Sequence, residues 1–299
     1  MLTEKLVRRI IGDLQKSVQI KVYRDQKMLE FVKELSKIIP LEYEFEDEVE
    51  RELKLPAIEI KGSNLFFHTI PKHSELETFL FALKIVSELE GEIKRSEVKI
   101  LTFVSPFCPN CRYALDSINK IALKYGFEHH IIDVTLFPEI AQEKGVYGVP
   151  TTFVDKIVLR GALGERYLER LLVSSLRGEY YDYVVHKLER GEIEDLKSLE
   201  KPEIFAELMA HENFFVRLGA MALIENILKN GKKIGREAKD RIVKLLEHRD
   251  KRIREDAMMM LGMVGSKEDI SLIERFLGDA NLSESAREAI EMIRDRYED

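Results

Sequence analysis

The chain has 299 residues, of which 45% are hydrophobic and 34% are charged, the balance of a folded protein with a heavily charged surface. Its 47 Lys and Arg against 54 Asp and Glu give a net charge of -7, which argues against nucleic acid as a general partner. No apolar run reaches the roughly 20 residues that cross a bilayer, and the segment Met1 to Gln15 is charged and amphipathic, so the sequence predicts a cytoplasmic protein without a membrane partner.

The first part of the chain has the pattern of a small α/β unit, which we place at residues 1–92. Apolar residues at helical spacing predict helices over residues 3–14, 28–38 and 74–89. Thr3 is expected to cap the first of these helices. The apolar stripe of this first helix is expected to consist of Leu6, Val7, Ile10 and Ile11. Runs rich in β-branched residues or alternating in polarity predict four strands, over residues 18–23, 41–45, 57–60 and 65–68.

The same order of elements then repeats in a second α/β unit, which we place at residues 93–178. It is expected to contain strands over residues 98–104, 130–134, 151–154 and 157–160. Helices are expected over residues 108–125, 137–144 and 165–176.

The only two cysteines of the chain, Cys108 and Cys111, lie where the first strand of this second unit turns into a helix. The first amides of a helix are unpaired donors and favour negative charge, and there a cysteine pKa typically falls from about 8.5 to roughly 3.5 to 7.5. We therefore predict that Cys108 is the attacking sulfur. Cys111 would then resolve the mixed disulfide and release the partner protein. Pro109 suits the first helical turn, and with Asn110 it is compatible with either a reductant or an oxidant.

Two cysteines in one motif leave no structural disulfide framework, so the pair is either redox-active or metal-binding. Zinc is the alternative, but a zinc site wants four ligands, usually two such cysteine pairs or additional histidines. His129, His130 and the other histidines show no ligand spacing. We therefore predict neither a metal nor a cofactor.

The second unit resembles a thioredoxin fold, because Cys-x-x-Cys after the first strand and Val-Pro before the third is the pattern of that superfamily. Residues 103–111, 147–151 and 70–80 are also similar to the glutaredoxin-like protein disulfide oxidoreductases of hyperthermophiles, which hold two thioredoxin-like units in one chain. A composition rich in Lys, Arg and Glu and poor in Gln is typical of such a source. The resemblance covers residues 1 to about 178.

The resemblance implies a thiol-disulfide oxidoreductase that acts on protein disulfides, with a thioredoxin-reductase-like flavoprotein as a possible electron source. It implies that Pro150 is cis and packs against the disulfide, and that Val149 offers its backbone N–H and C=O to an extended substrate strand. With Pro109 these residues form the expected substrate-binding set. The alternative for Pro150 is an ordinary trans turn proline.

The sequence departs from that family in two places. In the first unit the active-site position is occupied by residues 23–27, which contain no cysteine, so this unit is expected to be a scaffold or a binding surface. Leu55-Pro56 keeps the cis-proline position there. Flavoprotein partners of bacterial peroxidases also carry a tandem pair with only the second unit active. Thr102 occupies the place of the buried acid of thioredoxins, so a Glu or Lys from elsewhere, or water, must accept the Cys111 proton.

The last third of the chain has a different pattern, with a charged helical connector over residues 179–200 and paired helices over residues 201–299. Helix, Asp/Asn turn and helix recur with a period in the thirties, as in an α-solenoid. The pairs Val216-Arg217 and Ile253-Arg254, with Ala220 and Ala257, resemble HEAT repeats, while Ser285-Ala286 departs from them in the third copy. Such stacks leave one face for a protein partner. The methionines at 258–260 and Met263 are expected in the core, with a binding surface as the alternative.

These observations predict tandem α/β thioredoxin-like folds followed by an all-α HEAT-like solenoid. The predicted function is thiol-disulfide exchange through Cys108 and Cys111, with the HEAT-like region binding a protein partner. The alternative is a redox-sensitive adaptor in which the disulfide changes partner affinity without turnover.

Overall fold

The computed structural model of the protein describes residues 3–48, 53–91 and 93–298. By their contacts the residues separate into two units, Met1–Val173 and Ser174–Asp299. The first unit is a mixed α/β structure and the second is helical, so the predicted order of an α/β region followed by an all-α region is confirmed. The finer division into four segments stays a prediction.

The first unit contains two successive sets of elements, and all the predicted strands and helices are present. The first set consists of α1 (Glu4–Ile11), β1 (Val18–Tyr23), α2 (Gln26–Ser36), β2 (Leu41–Glu46), β3 (Ala57–Ile60), β4 (Leu65–His68) and α3 (His73–Glu88). The second set consists of β5 (Lys99–Val104), α4 (Cys111–Tyr125), β6 (Glu128–Asp133), α5 (Pro138–Glu143), β7 (Thr151–Val154), β8 (Ile157–Arg160) and α6 (Glu165–Leu176). Thr3 caps α1 as predicted, because its side-chain oxygen accepts a hydrogen bond from the Leu6 N–H at 3.3 Å.

All eight strands form one sheet, in the order β2-β1-β3-β4-β6-β5-β7-β8. Each half of the sheet has the same internal order, with a parallel pair followed by two antiparallel pairings. The halves join through the parallel pair β4 and β6, in which Leu65 lies opposite His129 and His68 lies opposite Ile132. The cysteine-free half and the cysteine-containing half therefore share one continuous sheet.

The two β-hairpins close through residues that tolerate left-handed backbone conformations. Asn64 between β3 and β4 has φ 60°, and Asp155 between β7 and β8 has φ 51°. Asn and Asp adopt this conformation more readily than other non-glycine residues, which is why the sequence favours tight turns there. In the cysteine-containing half, Phe103 on β5, Ile132 on β6 and Ala141 on α5 form a small core that also packs against Val149.

The second unit consists of helices joined by short turns. They are α7 (Tyr181–Glu189), a 3-10 turn (Ile193–Leu196), α8 (Pro202–Leu208), α9 (Phe214–Lys229), α10 (Arg236–Leu245), α11 (Lys251–Val264), a second 3-10 turn (Lys267–Asp269), α12 (Ile270–Glu274) and α13 (Ser283–Glu298). The fully buried Lys187 on α7 pairs with Glu192 and with Asp195, the latter at 2.6 Å. In the part of the chain that the structure describes, no helix combines the length and apolar character needed to span a membrane.

The turns that precede α9 and α11 repeat each other bond for bond. Asn213 accepts a hydrogen bond from the Phe215 N–H, and 37 residues later Asp250 accepts one from the Arg252 N–H, both at 2.9 Å. His211 Nδ1 accepts from the Asn213 N–H, and His248 Nδ1 accepts in the same way from the Asp250 N–H.

An arginine completes each of these two turns, since Arg217 donates to the carbonyls of His211 and Glu212, and Arg254 donates to those of His248 and Arg249. The repetition supports the predicted tandem helix pairs, and the assignment to HEAT repeats stays a prediction. Met258 and Met260 are buried as expected, whereas Met259 is exposed.

Candidate active site

The two cysteines lie at the end of β5 and are joined in a disulfide, with their Cα atoms 5.4 Å apart. Cys111 is fully buried, while Cys108 is partly exposed. The prediction of a helix from Cys108 was wrong, because α4 begins at Cys111. Ser105 forms a turn instead, in which its carbonyl accepts from the Cys108 N–H at 3.0 Å and its hydroxyl accepts from the Phe107 N–H at 3.3 Å. Pro109 lies exposed between this turn and α4, and not in the first helical turn.

The first amide of α4 points at the outer sulfur, because the Cys111 N–H lies 3.1 Å from Cys108 Sγ. A helix N-terminus stabilises negative charge, and this amide belongs to the first residue of the 15-residue helix α4. The geometry therefore favours a thiolate at Cys108 when the disulfide is reduced.

The turn that precedes β7 lies against the same sulfur. Cys108 Sγ is 3.5 Å from the Val149 carbonyl oxygen, and the buried Pro150 follows a cis peptide bond, as the resemblance implies. Among the described residues the cis peptide bond is confined to Val149–Pro150, so Leu55–Pro56, at the corresponding place in the first half, is not cis. Cys108, Cys111, Val149 and Pro150 are thus brought together, and Pro109 stands at the exposed edge of the group.

Three aromatic side chains close to the site residues in sequence are exposed. Phe107, directly before Cys108, is 81% exposed, and Tyr147, in the turn that leads to Pro150, is 95% exposed. Tyr113 on the first turn of α4 is also exposed. Exposed aromatic groups of this kind are typical of surfaces that contact another polypeptide.

A buried acidic cluster lies at the same end of the sheet. The Thr69 hydroxyl donates to Glu75 Oε2 at 2.9 Å and lies 3.5 Å from Asp133 Oδ2. Burial, followed by the negative charge of Asp133, raises the pKa of Glu75 to about 8. Asp133 is paired across the sheet with Val104, the last residue of β5 before the turn that carries Cys108. The cluster therefore places a titratable acid near the cysteine turn.

Sequence reasoning did not identify this cluster. Glu75 lies within the stretch 70–80 that carries part of the family resemblance, but nothing in the pattern marks it as buried. Thr69 follows β4 and Asp133 ends β6, and these two residues meet only because the two halves pair through those strands. A prediction of the β4–β6 pairing would have been needed to find it.

Thr102, which occupies the position of the buried acid of thioredoxins, is part of a chain of hydrogen-bonded neutral side chains. Thr102 Oγ1 lies 2.8 Å from His129 Nε2 and 3.2 Å from Thr152 Oγ1, and His129 Nδ1 lies 2.8 Å from Asn119 Oδ1. Burial lowers the pKa of His129 to about 3, so its imidazole is neutral near pH 7. In the described ranges no group of three or more His, Cys, Asp or Glu side chains is arranged to hold a metal ion.

Residues of the cysteine-free half hold α4 in position. Glu77 on α3 forms an ion pair with Arg112, the residue after Cys111, and the Thr78 hydroxyl donates to Asp116 at 3.1 Å. The first half thus contacts the helix that carries the inner sulfur.

Comparison with known proteins matches residues 96–172 to a family described as thioredoxin domain, so the cysteine-containing half of the first unit is thioredoxin-like. No curated protein sequence matches the chain. The chain is similar to a mutant of the alkylhydroperoxide reductase AhpF from Enterococcus faecalis, with 20% identity, a TM-score of 0.48, and coverage of 56% of this chain and 96% of that chain. The NTD_N/C domain of the same reductase gives 20% identity and a TM-score of 0.49, with coverage of 57% of this chain and 100% of that domain. A protein disulfide oxidoreductase from Aeropyrum pernix gives 17% identity and a TM-score of 0.46, with coverage of 58% of this chain and 92% of that chain.

Proposed function

We propose that the protein is a thiol-disulfide oxidoreductase that exchanges disulfides of other proteins through Cys108 and Cys111. The observation that carries the proposal is the asymmetry of the pair. Cys108 is accessible and receives the first amide of α4, whereas Cys111 is fully buried behind it. An accessible, stabilised sulfur with a buried partner within bonding distance is the arrangement that two-step thiol-disulfide exchange requires.

In the proposed reaction the reduced protein attacks first with the Cys108 thiolate. The substrate disulfide breaks, one substrate sulfur leaves as a thiolate, and the other is bonded to Cys108. Cys111 then loses its proton and attacks the Cys108 sulfur, which releases the second substrate thiol and leaves the Cys108–Cys111 disulfide. The substrate gains two electrons and two protons, and an external dithiol or a thioredoxin-reductase-like flavoprotein must restore the reduced pair. The reaction is reversible, so the same residues also serve oxidation.

Glu75 is our candidate for the group that accepts the Cys111 proton. Because its pKa is raised to about 8, the Glu75 carboxylate is a much stronger base than an ordinary carboxylate and so takes a proton from a thiol more readily. Glu75 lies at the end of the sheet from which the cysteine turn departs, as the pairing of Asp133 with Val104 indicates. Glu75 is thus proposed for the role that Thr102 cannot fill.

The described geometry of the turn before β7 supports a substrate-binding role for Val149 and Pro150. The Val149 carbonyl lies 3.5 Å from the attacking sulfur, so a substrate strand that pairs with the Val149 backbone would present its own sulfur to Cys108. Pro109 and Phe107 flank Cys108 in sequence and are exposed, so they are available to contact the same strand.

The experiment that tests the proposal is turnover of an insulin-type protein disulfide with excess dithiol, in the intact protein, Cys108→Ser and Cys111→Ser. We expect turnover by the intact protein and only the rate of the dithiol alone with Cys108→Ser. Cys111→Ser should accumulate a mixed disulfide between Cys108 and the substrate, because the resolving sulfur is missing. Full turnover by Cys108→Ser would exclude the mechanism.

A redox-sensitive adaptor is the second candidate, and one observation favours it. Phe214, Phe215 and Leu218 at the start of α9 are each more than half exposed, and the two phenyl rings are in contact, with centroids 5.7 Å apart. Such an apolar surface suits a protein partner of the helical unit. If the intact protein forms the disulfide reversibly but processes no disulfide substrate, the adaptor replaces the enzyme as the proposed function. We propose a cytoplasmic location for either role.

A further inference from the structure

The first unit contains a groove of about 500 Å³ outside the redox site. It lies between α1, α2 and the turn from β4 to α3, all of which belong to the cysteine-free half. Its apolar walls are formed by Leu6, Ile10, Phe31, Ile70, Pro71 and Leu76. Lys72, His73 and Glu77 complete its rim. The groove is therefore mainly apolar inside and polar at its edge, as binding sites for apolar groups are.

Helix α1 has a wider apolar face than the core of the unit uses. Val7 and Ile11 are fully buried in that core. Leu6 and Ile10 are only half-buried, and as residues i and i+4 they form a second stripe that lines the groove. The core alone does not account for this second stripe.

Two residues at the rim of the groove contact residues that are next to the cysteines in sequence. The ring of His73 lies 6.4 Å from the ring of Phe107, which directly precedes Cys108. Glu77 pairs with Arg112, which directly follows Cys111. A polypeptide whose sulfur is bonded to Cys108 must lie beside Phe107, so a chain that continues past His73 enters the groove.

We propose that this groove holds apolar side chains of the polypeptide whose disulfide is exchanged at Cys108. The occupant is thus the substrate itself, an extended segment with an apolar residue a few positions from its cysteine. The inference rests on the proposed function and gives the cysteine-free half a role in substrate selection. Burial of one large apolar side chain is expected to strengthen binding by about 10- to 100-fold.

A peptide with a single tryptophan tests this placement directly, because the protein itself has no tryptophan. The peptide is supplied as a mixed disulfide with thionitrobenzoate, which the Cys108 thiolate of the Cys111→Ser variant displaces to form a stable adduct. Tryptophan is placed at increasing distance from the peptide cysteine, on either side. An extended chain advances about 3.3 Å per residue, so we expect a blue-shifted emission only for positions a few residues away, on one side.

The double variant Leu6→Gln/Ile10→Gln should abolish the blue shift, because it makes one wall of the groove polar without touching the buried Val7 and Ile11. Ile85→Gln is the matched control, since Ile85 is also half-buried on a helix of this unit but does not line the groove. An unchanged emission in the double variant overturns the inference. An equal loss in the control also overturns it.

Steady-state rates separate this inference from the proposed function. We expect the double variant to lower kcat/KM about tenfold for a disulfide peptide with apolar residues, and to leave the rate on 2-hydroxyethyl disulfide unchanged. If the intact protein processes neither substrate, the proposed function fails. If the intact protein processes both and the double variant matches it on both, only the groove inference fails. A parallel loss of both rates in the double variant also overturns the inference.

Discussion

At the residue scale, the two sulfurs of the cysteine pair lie in different environments. The Cys111 N–H points at Cys108 Sγ, while the side chain of Cys111 is enclosed. The amide stabilises charge on Cys108, and burial disfavours charge on Cys111. In the proposed mechanism Cys111 therefore needs a proton acceptor, and Glu75, whose pKa is raised to about 8, is our candidate at that end of the sheet.

The raised pKa of Glu75 predicts a pH-dependent stability. Because this pKa of about 8 lies above the ordinary carboxyl value of 4.5, the neutral form is favoured in the fold. The contribution of neutral Glu75 to the free energy of unfolding is fully present below pH 4.5 and is lost as the pH rises through 8. Between these two values the free energy of unfolding falls by about 1.4 kcal/mol for each pH unit. Glu75→Gln should therefore gain stability relative to the native protein between pH 5 and 9, measured by urea unfolding.

Glu88→Gln is the control for this prediction, because Glu88 is exposed on the same helix and should leave the profile unchanged. Identical pH profiles for Glu75→Gln and the native protein would show that Glu75 is not held neutral. The same variant should also prolong the life of the mixed disulfide in stopped-flow measurements, because Gln cannot accept the Cys111 proton.

At the scale of elements, the hairpins were predictable and the cysteine turn was not. The bounds of β3, β4, β7 and β8 agree with the prediction because polar turn residues such as Asn64 and Asp155 mark where each strand stops. The start of α4 was misplaced because apolar periodicity does not register the Ser105 turn, which depends on hydrogen bonds from two following amides. The β4–β6 pairing joins residues about 60 positions apart, and no local signal specifies it. The Glu75 cluster and the groove depend on such long-range packing.

The repeated turns of the helical unit predict a measurable capping effect. Asp250→Ala removes the oxygen that accepts from the Arg252 N–H at the start of α11, so we expect it to lower the free energy of unfolding by about 1 kcal/mol. Urea unfolding followed by circular dichroism measures this change. Asp240→Ala is the control, because it removes only an exposed ion pair with Arg236, and such pairs contribute little. Equal effects of the two substitutions would contradict the capping role.

At the scale of the whole molecule, the cysteine chemistry and the exposed phenylalanines belong to different units. All the proposed redox residues lie within Met1–Val173, while Phe214, Phe215 and Leu218 lie within Ser174–Asp299. This separation predicts that chemistry and partner binding can be removed independently, since each unit is stabilised mainly by its own contacts.

A chain that ends after Gly178, just beyond α6, should therefore fold and reduce 2-hydroxyethyl disulfide within about twofold of the intact rate. The comparison uses equal concentrations of both proteins, with circular dichroism to verify that the shortened chain is folded. Loss of the rate in a folded, shortened chain would mean that the helical unit takes part in the chemistry.

The strand pair β4–β6 also bears on which mutations this chain can accumulate. A free β6 would present unpaired amides and carbonyls along its edge, and exposed edges of this kind recruit other chains into aggregates. The cysteine-free half carries no thiol of its own, but its last strand, β4, covers this edge and has to remain in place. We therefore expect substitutions that break the pairing of β4 with β6 to promote aggregation, a cost that is separate from any loss of thiol chemistry.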